Sequence, residues 1–152
     1  MTFDRRTALV LGACLSWITA VLVLDAFVDA RGQALLGVVT WTLLVVLLVA
    51  ESPLVRAQVA VVVVFATVIE YTFSPLLDVY TYRLGGVLGV PSFVPPGHGL
   101  VYLAALTIGR APFVRAHARP FVTTTVVLAS GYALWGLFWS PRPDVLGAFW
   151  CA

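Results

Sequence analysis

Charged side chains are scarce in this 152-residue chain: they make up 11% of its residues, whereas 61% are hydrophobic and the mean hydropathy is +1.02. A soluble domain typically carries about 25% charged residues, so this composition excludes an ordinary water-soluble protein. Lysine is absent and all nine basic residues are arginine, which suggests a GC-rich bacterial coding bias. The formal net charge of +2 does not indicate nucleic-acid binding, and no nucleic-acid partner is expected.

Cysteines and recognisable catalytic motifs are also few. Cys14 and Cys151 both fall in apolar runs, where a small buried side chain is the default and a disulfide framework is not expected. The chain contains no Walker loop, no GxSxG, no HExxH and no paired CxxC. No metal site and no cofactor is therefore predicted.

Long apolar runs dominate the sequence. A helix rises about 1.5 Å per residue and needs roughly 20 residues to cross a 30 Å hydrocarbon core. The pattern predicts an all-α, polytopic transmembrane bundle in a single domain, residues 1–152, with five spans and the start of a sixth. Because the last run stops after a few residues, the chain is expected to be an N-terminal fragment of a longer protein. The six runs cover residues 7–24, 33–50, 57–73, 84–109, 120–139 and 145–152.

The first run has a second interpretation, as a signal peptide, because Arg5 and Arg6 precede it. Its apolar core is longer than the usual 7 to 15 residues, and acids such as Asp25 and Asp29 are unusual beside a cleavage site. A retained anchor is the preferred interpretation.

The arginines predict the orientation, since cytoplasmic loops of membrane proteins carry an excess of basic residues. Alternate connections beginning with the N-terminus hold six of them, against three on the other side. The chain is thus expected in a bacterial cytoplasmic membrane with its N-terminus in the cytoplasm and residues 70–102 opening to the opposite side. The two sets are Arg5, Arg6, Arg56, Arg110, Arg115 and Arg119 against Arg31, Arg83 and Arg142.

The fourth run differs from the others, because seven glycines and prolines between residues 85 and 97 interrupt it. Residues 98–114 are the only part expected to be helical. Irregular backbone at membrane depth is tolerated where it is buried in protein or lines a wet cavity. The segment is therefore predicted to be either a re-entrant loop or a broken helix, and both alternatives place a binding pocket beside His98.

Two titratable residues near this segment are the strongest candidates for chemistry. Glu70 lies fourteen residues after Arg56, about 20 Å along a helix, and an ionisable group at that depth suggests a functional site. The alternative is a shifted helix in which Glu70 reaches water and pairs with Arg83. His98 is expected in the first turn of a helix, where a neutral imidazole suits a general base or a metal ligand. The alternative is a histidine that only bonds loop backbone.

A third group lies between these two residues. In an extended segment Asp78, Tyr80 and Tyr82 share one face, and in a helix Asp78 and Tyr82 are neighbours, so either structure brings a carboxylate to a phenol. The alternative is an interfacial tyrosine belt beside a solvated pair of Asp78 and Arg83. On the functional interpretation, Asp78 and Tyr82 join Glu70 and His98 as catalytic residues. The predicted substrate-binding residues are Tyr71, Tyr80, Arg83 and Tyr102.

One family resemblance covers about 35 residues of this region. The order Glu70, Tyr80-Thr81-Tyr82, Leu84-Gly85, Gly89-Val90-Pro91 and Val94-Pro95 resembles the core of the polytopic carotenoid hydratases, the bisanhydrobacterioruberin hydratase-like membrane proteins. The resemblance implies cofactor-independent addition of water to an isoprenoid double bond, for which a buried carboxyl group makes a suitable acid.

The expected function is therefore that of an intramembrane enzyme acting on an apolar lipid or isoprenoid, with Glu70 as the acid and His98 as the base or water-orienting group. Its expected partners are membrane lipids and an apolar small-molecule substrate, and homo-oligomerisation is left open. Two rivals remain: a transporter or channel subunit in which Glu70 and the broken helix bind an ion or proton, and a scaffold subunit without a site.

Overall fold

The computed structural model describes residues 4–139, and these form helices joined by irregular segments. The sixth apolar run and Cys151 lie outside the described residues. The chain divides into two compact units, Met1–Gly109 and Arg110–Ala152. The helices are α1 (Arg5–Asp25), α2 (Ala30–Val49), α3 (Pro53–Tyr71), α4 (Val94–Gly109), α5 (Pro112–Ala116) and α6 (Ala118–Phe138), with a π-helical turn, Thr72–Leu76, directly after α3.

Four helical segments are long and apolar enough to cross a bilayer: α1, α2, Pro53–Leu76 and α6. This agrees with the predicted class, a helical integral membrane protein with several spans. The fourth predicted span corresponds to α4, whose 16 residues are fewer than the roughly 20 that a perpendicular crossing requires. The described residues thus contain four helices that meet this length criterion, and the predicted count of five spans is not confirmed.

Polar residues at the helix ends account for where the first three helices start. Asp4, Asp29 and Ser52 each cap a helix by accepting a hydrogen bond from a backbone N–H in its first turn. Pro53 then occupies the first position of α3, where its missing N–H costs nothing. The connections are only a few residues long, and Arg6 at the start of α1 contacts Ala50 at the end of α2, so these two helices run antiparallel.

Helix α4 lies against all three of these helices and supplies the centre of the core. Leu100 and Leu103 are fully buried, and they pack with residues of α1, α2 and α3 such as Cys14, Leu44 and Val59. Gly99 permits this close packing, because a Cβ there would come within 2.8 Å of the Leu44 side chain.

The segment between α3 and α4 is irregular, as its glycines and prolines predict, and it folds back onto the bundle. Val87 and Val90 form an isolated antiparallel bridge, and the two residues of the turn between them, Leu88 and Gly89, have positive φ values of 49° and 94°. Val90 and Phe93 are buried against residues of α1 and α2. The segment therefore packs as part of the core rather than as a free surface loop.

The prediction for the helix that follows was wrong at both ends. Helix α4 begins at Val94, four residues before the expected start at His98, and it ends at Gly109 rather than at residue 114. Pro95 and Pro96 fit in its first turn because the N–H groups there have no partner within the helix. His98 consequently lies one turn inside the helix, not in its first turn.

The second unit contains α5 and α6. Phe113 and His117 stack with their ring centroids 4.4 Å apart, and Phe121 meets Phe113 edge-on. Most large apolar side chains of α6 are exposed, which suits a helix surrounded by lipid.

Candidate functional site

Glu70 is the polar centre of the first unit. It is the second-last residue of α3, and its side chain is only 12% exposed. The π-helical turn Thr72–Leu76, which contains Pro75, follows at once and ends the helix. The chain therefore leaves α3 and passes back beside Glu70.

Two tyrosines of the returning chain bind this carboxylate. Tyr80 and Tyr82 donate their phenol O–H groups to Glu70 Oε2 at 2.5 and 2.6 Å. They lie two residues apart in the irregular segment, and their rings meet edge-on with centroids 5.7 Å apart. Both phenols converge on a single carboxylate oxygen, and the other oxygen, Oε1, remains for a different contact.

Burial and the bond to Glu70 both favour the protonated form of these phenols. Burial, followed by the hydrogen bond to Glu70, raises the pKa of Tyr80 to about 12. The same causes in the same order raise the pKa of Tyr82 further. Both residues are therefore hydrogen-bond donors at neutral pH.

His98 faces the second oxygen of Glu70. Its Nδ1 lies 3.0 Å from the backbone oxygen of Val94, and its Nε2 lies 3.6 Å from Glu70 Oε1. Because a carbonyl oxygen can only accept, Nδ1 carries the hydrogen, and Nε2 of the neutral ring presents its lone pair toward Glu70. At 3.6 Å the two atoms face each other slightly beyond hydrogen-bond distance.

These groups open into a cavity of about 400 Å³ within the first unit. Its walls are mainly apolar, with Ile18, Val21 and Leu22 on α1 and Leu100 and Val101 on α4. A cavity of this kind, apolar with a few convergent polar groups, is typical of small-molecule sites. The polar residues that line it are Asp25, Thr40, Glu70, Tyr82 and His98.

Asp25 and Thr40 are functional candidates that the sequence analysis did not select. Asp25 Oδ1 accepts a hydrogen bond of 2.8 Å from Nε2 of the buried Gln33, which fixes that oxygen. Thr40 accepts from Trp17 Nε1 at 2.9 Å and donates to the Leu36 backbone oxygen, so its hydroxyl is occupied. The sequence pattern that could have indicated Asp25 is its position eight residues before Gln33, so that the two polar residues flank the short connection between two apolar runs.

The other predicted site residues lie outside the lining of this cavity. Tyr71 donates to the Val87 backbone oxygen at 2.9 Å, and Arg83 donates to the backbone oxygens of Asp25 and Val28. These contacts hold the irregular segment to the bundle and satisfy carbonyls at the end of α1.

Three more predicted site residues also lie outside the lining of the cavity. Tyr102 packs against the core, and Tyr80 reaches the cavity only through Glu70. Asp78 is exposed, with a positive φ of 50°. The structure thus brings together Glu70, Tyr80, Tyr82 and His98, while the predicted roles of Tyr71, Asp78, Arg83 and Tyr102 stay predictions.

No family model, curated protein or solved structure matches this chain. Within residues 4–139, no group of three or more His, Cys, Asp or Glu side chains is placed to hold a metal ion. The four long apolar helices fit an integral, multi-pass membrane protein. The first unit places a carboxyl group and an imidazole 3.6 Å apart at the wall of an apolar cavity.

Proposed function

We propose that this protein is an intramembrane enzyme that adds water to a carbon–carbon double bond of a long apolar isoprenoid. The observation that carries the proposal is Glu70, which has one oxygen bonded to two tyrosines and the other facing His98, at the wall of an apolar cavity. The sequence resemblance to the carotenoid hydratases supports the same reaction.

The pair can complete a balanced proton cycle. Protonated Glu70 gives its proton to one carbon of the double bond, and the π electrons form the new C–H bond, leaving a carbocation on the other carbon. A water oxygen adds its lone pair to that cation, and His98 Nε2 takes the proton that the water loses. The proton then returns from His98 to Glu70 across the 3.6 Å between Nε2 and Oε1.

The surrounding residues have supporting roles in this cycle. Tyr80 and Tyr82 orient the Glu70 carboxyl group and stabilise its charge after it has released the proton. Trp17 lines the same cavity, and its aromatic face can stabilise the developing cation. No metal ion or organic cofactor is required by the cycle.

The proposed topology follows from the arginine distribution. We assign five spans, with α4 as the fourth, a cytoplasmic N-terminus and an extracytoplasmic site in a bacterial cytoplasmic membrane. The exposed residues Leu88 and Ala116 would then lie on opposite sides. In a Cys151→Ser background, a membrane-impermeant thiol reagent should label Leu88→Cys in intact cells and Ala116→Cys only after permeabilisation. The reverse pattern would overturn the assignment.

The reaction is tested by whole-cell lipid and pigment profiles beside quantitative blots. Glu70→Gln and His98→Ala should each abolish the hydrated product while protein abundance stays normal. Two matched controls are present in the chain. Glu51 is another carboxylate with a 12% exposed side chain, and His117 Nδ1 also bonds the carbonyl four residues earlier, at 2.9 Å. Glu51→Gln and His117→Ala should leave the lipid profile unchanged.

The same experiment separates the enzyme from its rivals. Unchanged lipids in Glu70→Gln and His98→Ala at normal abundance would refute the hydratase. A proton-flux defect confined to Glu70→Gln would then favour a transporter. A fall in abundance in both variants, with no change in lipids per protein, would favour a structural subunit.

A further inference from the structure

The start of the second unit carries a concentration of positive charge. Three arginines, Arg110, Arg115 and Arg119, lie within ten residues there. The sequence contains no Asp or Glu between Asp78 and Asp144, so no neighbouring acid along the chain offsets them. A cluster of charges of one sign produces a potential at the protein surface that attracts ions of the opposite sign.

The surroundings of Arg115 and Arg119 leave their guanidinium groups available. Both residues are exposed, and within residues 4–139 neither guanidinium group has a hydrogen-bond or ion-pair partner. Other arginines are occupied at helix ends, because Arg6, Arg56 and Arg83 each donate to backbone carbonyl oxygens. Arg115 and Arg119 can therefore bind an external anion without giving up a contact within the described part of the chain.

An aromatic cluster holds the backbone between these two arginines. His117 forms the turn between α5 and α6, and its ring stacks on Phe113 with the centroids 4.4 Å apart. His117 Nδ1 also lies 2.9 Å from the Phe113 backbone oxygen, and Phe121 meets Phe113 edge-on at 6.2 Å. These contacts join α5 to the first turn of α6, so Arg115 and Arg119 lie on either side of a turn with a defined structure.

The same cluster lies where lipid headgroups are expected. Helix α6 is long and apolar enough to cross a bilayer, so its first residues lie at one membrane surface. Phe113 and Phe121 are each 46% exposed. Exposed apolar rings beside basic side chains are typical of segments in the interface, where the rings enter the acyl boundary and the basic groups meet the headgroups.

We propose that Arg115 and Arg119 bind the headgroups of anionic phospholipids at this membrane surface. A planar guanidinium group matches the oxygens of a phosphate with two parallel hydrogen bonds. Every phospholipid carries a phosphate, but a zwitterionic headgroup adds an ammonium group that the arginines repel, so net charge selects the anionic lipid. The contact does not depend on the proposed hydration, whose residues lie in the first unit.

The expected strength follows from the charge of the two side chains. An arginine close to an anionic membrane surface is worth about a fivefold preference for that surface, and two additive contributions give about 25-fold. Salt should weaken the preference, because the Debye length falls to about 3 Å at 1 M ionic strength.

Fluorescence quenching by labelled lipids tests the proposal. The full chain with Cys151→Ser carries a fluorophore on Ala116→Cys, next to Arg115, and is reconstituted in phosphatidylcholine vesicles that contain a minor share of phosphatidylglycerol. Spin-labelled phosphatidylglycerol should quench this fluorophore more strongly than spin-labelled phosphatidylcholine does. The ratio of the two quenching efficiencies measures the local enrichment of anionic lipid.

The connection between α1 and α2 provides the matched control. Ala26 is exposed, and this connection combines Arg31 with two acids, Asp25 and Asp29. A fluorophore on Ala26→Cys should therefore show no enrichment of phosphatidylglycerol. Equal enrichment at Ala26 and Ala116 would refute the proposal, because it would be a general property of the vesicle surface.

Substitutions then test the two side chains. Arg115→Gln and Arg119→Gln should each lower the enrichment at Ala116 about fivefold, and the double variant should abolish it. Replacing both by lysine keeps the charge and should retain the preference. Arg31→Gln, which removes an exposed arginine of the other connection, should leave it unchanged.

Three results would overturn the proposal. Equal quenching by the two lipids at Ala116, or enrichment that persists in the double glutamine variant, would show that the arginines do not select anionic lipid. Loss of the preference in the double lysine variant would show that charge is not what binds. If inorganic phosphate abolished the enrichment at an ionic strength at which chloride does not, the surface would be a site for free phosphate instead of lipid.

Discussion

The two ends of the first unit hold comparable carboxylates in different surroundings. Glu51 and Glu70 each have a 12% exposed side chain. Glu51 forms an ion pair of 2.9 Å with Arg6, whose guanidinium also donates to the Ala50 backbone oxygen. Glu70 is held by two phenols and faces an imidazole.

This difference separates a structural carboxylate from one suited to proton transfer. The Arg6 guanidinium keeps its proton at all accessible pH values, and its contact with Glu51 ties the start of α1 to the end of α2. Imidazole in general gains or loses a proton near neutral pH, whereas the two phenols stay protonated, so the surroundings of Glu70 suit proton transfer to or from the imidazole.

Shortening each of the two glutamate side chains by one methylene should show the largest difference between Glu70 and Glu51. Glu70→Asp withdraws the carboxyl group from Tyr80, Tyr82 and His98, and a misplacement of about 1 Å can cost on the order of 100-fold in rate. Glu51→Asp should leave the rate of hydration unchanged, because Arg6 can follow it. Product formation by the purified proteins in vesicles measures both. Equal rates in the two variants would contradict the comparison.

Removing one phenol should have a smaller effect. Tyr82→Phe deletes a hydrogen bond to a charged group, worth about 1.5–3 kcal/mol, so the rate should fall by roughly tenfold to 100-fold. Tyr71→Phe is the matched control, since its phenol bonds the Val87 backbone oxygen instead of Glu70. The rate of hydration at saturating isoprenoid distinguishes the two variants. If the rate of Tyr71→Phe falls as far as that of Tyr82→Phe, the role of the phenols is purely structural.

The pKa of the Tyr80 phenol should depend on the charge of Glu70. Its pKa of about 12 lies above the ordinary value, so the folded state keeps this proton longer than the unfolded state does. The resulting contribution to stability is complete below about pH 10 and is lost as the pH rises through about 12. In Glu70→Gln the pKa should fall, which ultraviolet titration of tyrosinate measures, with Tyr80→Phe identifying the step. An unshifted step would mean that Glu70 does not affect it.

The smallest effect is expected at the opposite end. Arg6→Gln removes the ion pair with Glu51, but the Arg6 side chain is 60% exposed and solvent screens the pair. The free energy of unfolding should fall by at most about 1 kcal/mol, with no change in hydration. Thermal melting in detergent provides the measurement. Loss of hydration in Arg6→Gln at normal stability would show that the two ends are coupled.

Much of the site could be predicted because it depends on local sequence. Glu70 stood out as an acid in an apolar run, and the spacing of Tyr80 and Tyr82 predicted a common face. The start of α4 could not be placed this way, because Pro95 and Pro96 are compatible with either a loop or a first helical turn. Helix α4 starts at Val94, where Val90, Phe93 and Val94 are buried against α1 and α2.

The class of protein follows from the amino-acid sequence, since long apolar runs with few charges fold stably in a membrane as helices that satisfy their own backbone hydrogen bonds. The sequence also determined which residues could carry chemistry, because a membrane helix contains few of them. Which of these residues come into contact depends on how the helices pack. The π-helical turn brings two phenols back to Glu70, α4 carries His98 to its other oxygen, and α1 and α2 add Asp25 and Gln33 from far away in the chain. Such contacts depend on how helices pack, and hydrophobic periodicity does not specify them.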